Sequence, residues 1–401
     1  MVESIAIVVP ELLPVPPVQG GAVEHWVDEA SRRLVSPGRR LAVVSRPAGV
    51  PGREGIEYIG IPWAPLEKFF HRIKDRVTWK NPLRYLAKIQ NVYSYGRRVA
   101  AAVKAYDVVY LHNEPNILLF LNKRPGQKIV LHMHNDHLTM RLFRPFYRLA
   151  LAKADHVICV SDYIRRQAVA VFPEYADRFC VVFNATDPDV FKPYGDEADH
   201  QLEGVVLFEA GKKYLLYVGR LTPVKGVHVL IDAFREIHRK MPDVRLIITG
   251  SSFFGGAART AYEQSLVKLA EPINDAILFT GYLPHEKLKY LYSRVDMIVL
   301  PSVWQDPCPL VVLEAMASGT CLVSSAVGGV PEVVESETNG LLVEAGNVDA
   351  LIQGVCNALA DEQAMTRMAF SAREKVIAGY SWKRLVLEIE KILNVDGPIG
   401  I

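Results

Sequence analysis

The sequence contains few cysteines and no motif that would pair them. Five cysteines are scattered over 401 residues, and no two of them form a C-x-x-C motif. An odd number without such spacing predicts neither a disulfide framework nor a structural zinc site. The chain also lacks a run of about 18 apolar residues, which excludes a transmembrane helix. These absences favour a chain that works in a reducing, aqueous compartment.

An excess of one charge is also missing. Lys and Arg number 46 and Asp and Glu 44, for a net charge of +2. A domain that binds nucleic acid usually carries a basic excess, so the balance argues against nucleic acid as a partner. The first residues include Glu3 and a proline-rich break at 14–17, unlike a secretory signal. We therefore expect a cytoplasmic location.

Hydrophobic residues make up 50% of the chain and recur in short Val- and Ile-rich runs between longer amphipathic stretches. This alternation is typical of a parallel sheet covered by helices on both faces. The polar stretch 192–204 interrupts the pattern, which then restarts. We predict two doubly wound α/β domains, 1–195 and 205–378, followed by a C-terminal helix in 379–401. The predicted strands read SIAIVVP, RRLAVVS, YDVVYLH, KIVLHMH, DHVICVS and FCVVFNA in the first domain and YLLYVGR, VRLIITG, AILFTGY, DMIVLPS, TCLVSSA and GLLVEAG in the second.

The unusual glycines and polar residues follow these predicted strands. Ligands of doubly wound sheets bind outside the carboxyl ends of the strands, so crowded ends on both domains predict a ligand cleft between them. The residues at these ends are Gly20, Gly21, His112, His134, Ser161 and Asn184 in the first domain and Arg220, Lys225, Gly250, Gly281, Asp306, Gly328, Gly329 and Glu332 in the second.

Two cations stand in the segment LLYVGRLTPVKG, after the first strand of the second domain. Arg220 and Lys225 are suited to an anionic ligand such as a diphosphate. A Walker loop is excluded because G-x-x-x-x-G-K-[ST] does not occur. Taken alone, such a pair belongs more often to a solvated surface than to a ligand site.

The segment QGGAVEHW is a second candidate for binding phosphate. Gly20 and Gly21 would let the backbone approach an anion, and a helix starting near Ala22 would direct its N-terminal amides at it. A plain tight turn is the alternative for this Gly-Gly pair.

Two carboxylates stand eight residues apart in PSVWQDPCPLVVLEAMASGT. Asp306 follows a strand, and a helix that opens near Pro309 would place Glu314 in its second turn. A carboxylate in so apolar a helix needs a partner. A pair of ribose hydroxyls would supply one.

Together these segments resemble the retaining glycosyltransferase family 4, whose GT-B fold has two facing Rossmann-like domains. The family pattern is a Glu, seven residues, a second Glu, and then AMAxG. The resemblance covers essentially the whole chain, and its motifs occur in the family's order. They are GGAVEHW, HMHND, VSDYI, FNATD, VGRLTPVKG and SSAVGGVPEVV; ELLPVPPVQGGA, GSSFFGG and WQDP are most similar to spore-coat-type glycosyltransferases.

The resemblance implies transfer of a hexose from a nucleotide-diphosphate sugar, with a UDP-sugar favoured over a GDP-sugar. The acceptor would be a hydroxyl of a glycan, a lipid-linked molecule or a small molecule. It implies no cofactor and no metal, with Arg220 and Lys225 on the leaving phosphate, His134 on the sugar, and a C-terminal helix that crosses back to the first domain. Asp187 and Asp189 have the spacing of a metal-binding Asp-x-Asp, but their context predicts a turn. The substrate-binding residues it implies are Gly20, Gly21, Glu314, Gly281, Pro309, Leu310, Val311 and Asn184.

One position departs from the family pattern, because Asp306 stands where the first Glu is usual. The resemblance places this side chain on the sugar's 3-hydroxyl, and Asp reaches about 1.5 Å less far. Either the loop sits closer, or the donor differs, or activity is weak, or the change is harmless. A non-catalytic sugar-nucleotide-binding or coat protein of this fold is the alternative function, and an epimerase or phosphorylase is another.

The histidines of LHMHNDH could suggest a metal site. His132 and His134 would share one face of a strand, but the third ligand of the zincin pattern is absent, so we favour no metal. His112, in YLHNEP, is as compatible with a structural role at a strand end.

The segment 65–104 is basic and aromatic. It carries ten Lys and Arg residues against Glu67 and Asp75, and 141–153 adds RLFRPFYRLALAK. Such a surface suits peripheral contact with the inner membrane face or an acidic acceptor. A solvated helical face is the alternative. The sequence predicts no oligomeric state.

Overall fold

The computed structural model describes residues 3–18, 21–74, 82–251 and 260–394, without the side chains of 70–74, 82–89 and 141. The chain forms two compact units, Met1–Val182 with Val386–Ile401 and Phe183–Leu385. Some predicted features lie outside the described residues. These are Gly20, residues 75–81 of the basic segment, most of the GSSFFGG segment, and residues 395–401 of the C-terminal segment.

The first unit is built on a seven-stranded parallel sheet of order β3-β2-β1-β4-β5-β6-β7. The order reverses direction beside β1, so right-handed crossovers place helices on both faces. Most of these strands are buried along nearly their whole length, which is why they read as continuous apolar runs. The strands are β1 (Ser4–Val8), β2 (Arg40–Ser45), β3 (Glu57–Gly60), β4 (Val108–His112), β5 (Lys128–Met133), β6 (His156–Cys159) and β7 (Phe179–Val181).

In the described residues up to Val182, the α-helices are α1 (Ala22–Leu34), α2 (Pro65–Lys74), α3 (Pro82–Ala102), α4 (Arg144–Leu151) and α5 (Asp162–Val171). The last of them begins where the Ser161 hydroxyl accepts a hydrogen bond from the Ile164 amide. Ser161 is thus a helix cap.

The second unit repeats the topology with six parallel strands in the order β10-β9-β8-β11-β12-β13. Its core lies on both faces of the sheet. Along β8, Leu215 and Tyr217 pack into one cluster, whereas Leu216 and Val218 pack into the other. The strands are β8 (Lys213–Val218), β9 (Val244–Thr249), β10 (Ile277–Gly281), β11 (Met297–Leu300), β12 (Cys321–Ser325) and β13 (Leu341–Val343).

The helices that follow β7 are α6 (Glu197–Leu202), α7 (Val227–Lys240), α8 (Ala261–Ala270), α9 (His285–Arg294), α10 (Leu310–Ala317), α11 (Val330–Val333), α12 (Val348–Ala360), α13 (Glu362–Gly379) and α14 (Trp382–Asn394). Residues from Phe183 onward group with the second unit because Phe191 is buried in its core and Arg373 donates to the Phe191 carbonyl at 3.0 Å. The predicted linker 192–204 therefore falls inside this unit.

The last helix contributes to each unit separately. In its first turns, the Arg384 guanidinium donates to the Phe183 carbonyl at 2.8 Å, within the second unit. Further along, Glu390 accepts from Arg39 at 2.9 Å, and Lys128 donates to the Leu393 carbonyl at 3.1 Å, within the first unit.

The twelve strands predicted from the sequence are confirmed, with β3 as an additional strand. The fold is α/β with two Rossmann-like domains, as predicted. A search of the described helices finds none with the length and apolarity needed to cross a bilayer.

Candidate functional site

Two loops meet at the switch point of the second sheet. They follow β8 and β11, which pair with each other where the strand order reverses. The loop after β8 ends at Gly226, whose φ of 70° is left-handed and whose absent side chain leaves room for the Pro301 carbonyl. The Val303 amide then donates to the Val224 carbonyl at 3.0 Å. The two loops are therefore fixed against each other at the position where this fold binds ligands.

The two charged side chains at this point are Lys225 and Asp306. The Lys225 ammonium and the Asp306 carboxylate form a hydrogen-bonded ion pair, with the carboxylate largely buried. Arg220 lies exposed in the same loop, and no ion pair joins it to any residue in the described ranges. The predicted pair of cations is thus one free guanidinium and one ammonium already shared with a carboxylate.

A glycine loop after β12 holds Asp306 from the other side. The Gly329 amide donates to the Asp306 carbonyl at 2.9 Å, and the Gly328 amide donates to Gln305 Oε1 at 2.7 Å. Gly328 has a φ of 55°, and a Cβ there would overlap the Asp306 carbonyl. The sequence-predicted Gly328-Gly329 pair therefore fixes the carboxylate loop.

Glu314 occupies the second turn of α10, which begins at Leu310 after Pro309. Its carboxylate is buried, and Tyr292 donates to one oxygen at 2.9 Å while His285 Nε2 lies 3.2 Å from the other. Burial and the neighbouring carboxylate raise the pKa of Tyr292 well above its ordinary value, so its hydroxyl remains a donor. Tyr292 and His285 are thus the partners that the buried carboxylate requires, and burial of Glu314 needs no ribose.

A cavity of about 170 Å³ opens beside Arg220 at the carboxyl ends of β8 and β9. Its far wall includes Tyr282 and Leu283, which follow Gly281. The Gly281 carbonyl accepts from the Gly250 amide at 2.9 Å, so the two predicted glycines join the ends of β9 and β10. The cavity is largely apolar and has one cation at its edge.

Asn184 lies in the second unit and supports the carboxylate loop. Its amide nitrogen donates to the Cys308 carbonyl at 2.9 Å, two residues beyond Asp306. Burial raises the pKa of the Cys308 thiol to about 12, so this cysteine is no nucleophile.

In the first unit, Gly21 precedes α1 with a φ of 106°. The Glu24 carboxylate folds back into the space that a Gly21 side chain would occupy. It is buried, and burial raises its pKa. A phosphate at this helix N-terminus would therefore have to displace Glu24 or meet it in the protonated form.

His134 lies at the end of β5 beside two other histidines. Its Nε2 is 2.9 Å from His112 Nδ1, and its ring stacks on that of His132 with centroids 4.2 Å apart. Burial lowers the pKa of His134 to about 3, so its imidazole is neutral. The Asn113 side chain accepts from the His134 amide at 2.7 Å. The sequence identified His134 but not this supporting residue.

The basic segment is only partly available as a surface. Arg98 donates to the buried carboxylate of Glu67 at 2.7 Å, and Arg97 donates to the Tyr93 hydroxyl at 2.8 Å. Arg98 is therefore bound to a buried carboxylate, whereas the sequence analysis counted it in a surface for a membrane or an acidic acceptor. The exposed apolar side chains of the first unit include Leu142, just before α4, and Phe146 and Leu149 within it.

Two family models match the chain in succession. The model described as Glycosyltransferase Family 4 matches residues 20–190, and the model described as Glycosyl transferases group 1 matches residues 201–375. Between them they span both units.

Curated relatives align over nearly the whole length. Spore coat protein SA of Bacillus subtilis is 26% identical over 98% of each chain. Lipopolysaccharide 1,2-N-acetylglucosaminetransferase of Salmonella typhimurium is 25% identical, again over 98% of each chain. Among solved structures, Anabaena HepE in complex with UDP and glucose has the same fold, with a TM-score of 0.76, 18% identity and coverage of 99% of this chain and 100% of that one.

Proposed function

This chain belongs to the family 4 glycosyltransferases, and from that premise we propose that it transfers a hexose-type sugar from a UDP-sugar to a hydroxyl acceptor with retention of configuration. The observation that carries the proposal is the Lys225–Asp306 ion pair at the sheet switch point, with Arg220 free beside it. A diphosphate would bring its negative charge to the two cations, and a sugar hydroxyl would meet the carboxylate.

In the proposed reaction, the bond between the sugar's anomeric carbon and the β-phosphate oxygen breaks as the acceptor oxygen bonds to the same face of that carbon. The acceptor's proton passes to the leaving phosphate oxygen, so no protein nucleophile is needed. Arg220 and Lys225 would stabilise the charge that develops on this phosphate. Asp306 would orient the sugar, and no metal or cofactor is required for these roles.

The nucleoside would lie on the Arg220 side, with the base in the cavity lined by Tyr282 and Leu283. Glu314 would accept from ribose hydroxyls once the His285 side chain, which is 60% exposed, moves aside. The backbone of Pro309, Leu310 and Val311, at the start of α10, would line the donor site. Anabaena HepE, which has this fold, holds UDP, which supports UDP over GDP.

A thermal-shift panel without added metal tests the donor. UDP, GDP, ADP, UDP-glucose, UDP-N-acetylglucosamine and GDP-mannose would each be added at millimolar concentration. A ligand at one hundred times its dissociation constant adds about 2.7 kcal/mol to the free energy of unfolding, which raises Tm by several degrees. We expect UDP and one UDP-sugar to give this shift.

The shift should disappear in Arg220→Ala with Lys225→Ala. It should persist in Lys240→Ala, which removes an exposed lysine at the far end of α7. If none of the six compounds shifts the wild type, or the double variant shifts like the wild type, the proposed donor site is wrong.

The acceptor is proposed to be membrane-associated. The Salmonella relative is named for a lipopolysaccharide acceptor. Leu142, just before α4, and Phe146 and Leu149 within it are 83%, 54% and 62% exposed. Arg144 and Arg148 lie among them in sequence, and Arg148 is ion-paired with Glu174. Exposed apolar side chains flanked by arginines match the interface of an anionic bilayer. On this proposal the chain would work at the cytoplasmic membrane face.

Replacing Leu142, Phe146 and Leu149 by serine should lower binding to anionic vesicles by at least about tenfold, since each residue loses apolar area worth roughly 1 kcal/mol or more. Cosedimentation at low and high salt measures this. Phe370→Ser, at a residue that is 69% exposed in the second unit, is the matched control. Equal binding of the triple variant and the control would contradict the proposal.

A further inference from the structure

Three histidines converge at the carboxyl ends of β4 and β5. His112 and His132 are paired in register on these neighbouring strands, and His134 follows two residues later. One ligand nitrogen from each of the three lies within 4.8 Å of the others. His132 and His134 share a face, and the adjacent strand supplies the third imidazole that the sequence pattern lacked.

Two of these imidazoles have a nitrogen without a partner. Both His112 and His132 are 0% exposed. Within the described ranges, neither His112 Nε2 nor His132 Nε2 has a hydrogen-bond partner. Buried polar atoms are normally paired, so two such atoms in one cluster call for a ligand.

The protonation state of the cluster suits metal binding. Burial lowers the pKa of His112 and His132 well below the ordinary value and that of His134 to about 3. All three imidazoles are therefore neutral at physiological pH, and the neutral imidazole is the form that ligates metal.

Neighbouring residues fix the rings as they would around a metal. The Tyr110 hydroxyl lies 2.7 Å from His132 Nδ1 and orients that ring. Asn113 accepts from the His134 amide at 2.7 Å while it holds a left-handed φ of 57°, which is uncommon for a residue other than glycine. Trp26 forms a wall, with its ring centroid 4.9 to 5.2 Å from those of the three histidines.

We propose that His112, His132 and His134 bind one divalent ion of the zinc type. Three nitrogens around a tetrahedral Zn²⁺, each at about 2.0 Å, lie about 3.3 Å apart. The structure has one ligand nitrogen from each histidine within 4.8 Å of the others. As the rings stand, His112 Nδ1 and His134 Nε2 bond to each other at 2.9 Å and the His132 and His134 rings stack at 23°, so the rings would turn on binding to direct their nitrogens at one ion. The fourth position would face the open side of His134, which is only partly buried.

This binding does not depend on the proposed transfer. If His134 also contacts the sugar, a bound metal would withdraw it and slow the transfer. The ion would then be an inhibitor of a reaction that needs no metal. Binding is therefore measured without nucleotide, so that failure of one proposal is distinguishable from failure of the other.

The first test uses the wild-type chain without an affinity tag. Co²⁺ is titrated into metal-free protein while visible absorption and tryptophan fluorescence are recorded. We expect one Co²⁺ per chain, a tetrahedral-type spectrum that Zn²⁺ abolishes, and quenching that Trp26→Phe removes. X-ray absorption of the zinc-loaded protein should show three imidazole nitrogens. No stoichiometric binding, or a spectrum of hexaaqua type, would overturn the proposal.

Variants then assign the site. His134→Gln should abolish stoichiometric binding, and Tyr110→Phe should weaken it by roughly 10–100-fold, as loss of an outer partner typically does. The matched controls are His137→Gln, in the same LHMHNDH segment, and His200→Gln, which is exposed in the second unit. Unchanged binding in His134→Gln, or loss in either control, would locate the ion elsewhere and refute the site. If His134→Gln does not fold, X-ray absorption of the zinc-loaded wild type decides whether three imidazoles bind the ion.

Discussion

Lys225→Ala is expected to lower kcat/KM by about 10²–10³, because it removes a preorganised charge from the phosphate that leaves. The loss corresponds to about 2.7–4 kcal/mol of transition-state stabilisation. Initial rates with the donor identified by the thermal-shift panel measure it. A fall of less than about tenfold would show that Lys225 does not contact the leaving group.

Asp306→Asn should separate binding from turnover. In the structure the Asp306 carboxylate is bound to the ammonium that the diphosphate would need. Without that competitor, Lys225 is free, and UDP should bind roughly tenfold more tightly, or about 1.4 kcal/mol. Turnover should fall, because the asparagine cannot accept from a sugar hydroxyl with a full charge. Calorimetric titration with UDP and initial rates measure the two effects.

The matched control is Asp306→Glu, which keeps the charge and restores the residue usual in the family. It should bind UDP like the wild type, whereas Lys225→Ala with Asp306→Asn should not gain the tighter binding of Asp306→Asn alone. Weaker UDP binding in Asp306→Asn would mean that the ion pair supports the donor site and does not compete with it.

Most strands were predictable from the sequence because a strand that is buried on both faces of a parallel sheet consists of a continuous run of apolar residues. The exception is β3, Glu57–Gly60, an edge strand next to β2 that is nowhere fully buried. The edge strand β13 is no more buried, but its sequence LLV is wholly apolar, whereas β3 reads EYIG and looks like a loop.

The contacts within the site were less predictable because they join residues far apart in sequence. Lys225 and Asp306 could each be placed at the end of a strand, but their pairing depends on β8 lying next to β11. Glu314 was correctly placed in a second helical turn, yet its partner Tyr292 lies on another helix, 22 residues earlier. The spacing of His132 and His134 was visible, whereas the register that adds His112 was not.

The buried carboxylate of Glu67 leads to the second prediction with a large effect, which concerns the stability of the first unit. It is 0% exposed and accepts from the Ala64 amide at 2.6 Å, from Arg98 at 2.7 Å and from Arg46 at 3.4 Å. Arg46 is itself 2% exposed, and its guanidinium stacks 3.8 Å from the Trp63 ring centroid. Removing the acid leaves a buried guanidinium without its charge partner.

Glu67→Ala should therefore lower the free energy of unfolding by about 3–5 kcal/mol. Chemical denaturation, followed by a signal that reports unfolding of the first unit, measures the loss. Glu174→Ala, which breaks the surface ion pair with Arg148, is the matched control and should cost about 1 kcal/mol or less. Equal costs for the two variants would show that the Glu67 cluster adds no more stability than a surface pair.

The same cluster predicts a pH dependence. Burial raises the pKa of the Glu67 carboxyl, but the Ala64 amide and the Arg98 and Arg46 guanidiniums outweigh burial and hold it below its ordinary value. The folded state therefore favours the ionised form. Its contribution is complete above the unfolded pKa of about 4.3 and is lost as the pH falls through the lower folded value. The stability difference between wild type and Glu67→Ala should accordingly shrink below about pH 4, and a difference that stays constant down to acid pH would assign the effect to packing and not to charge.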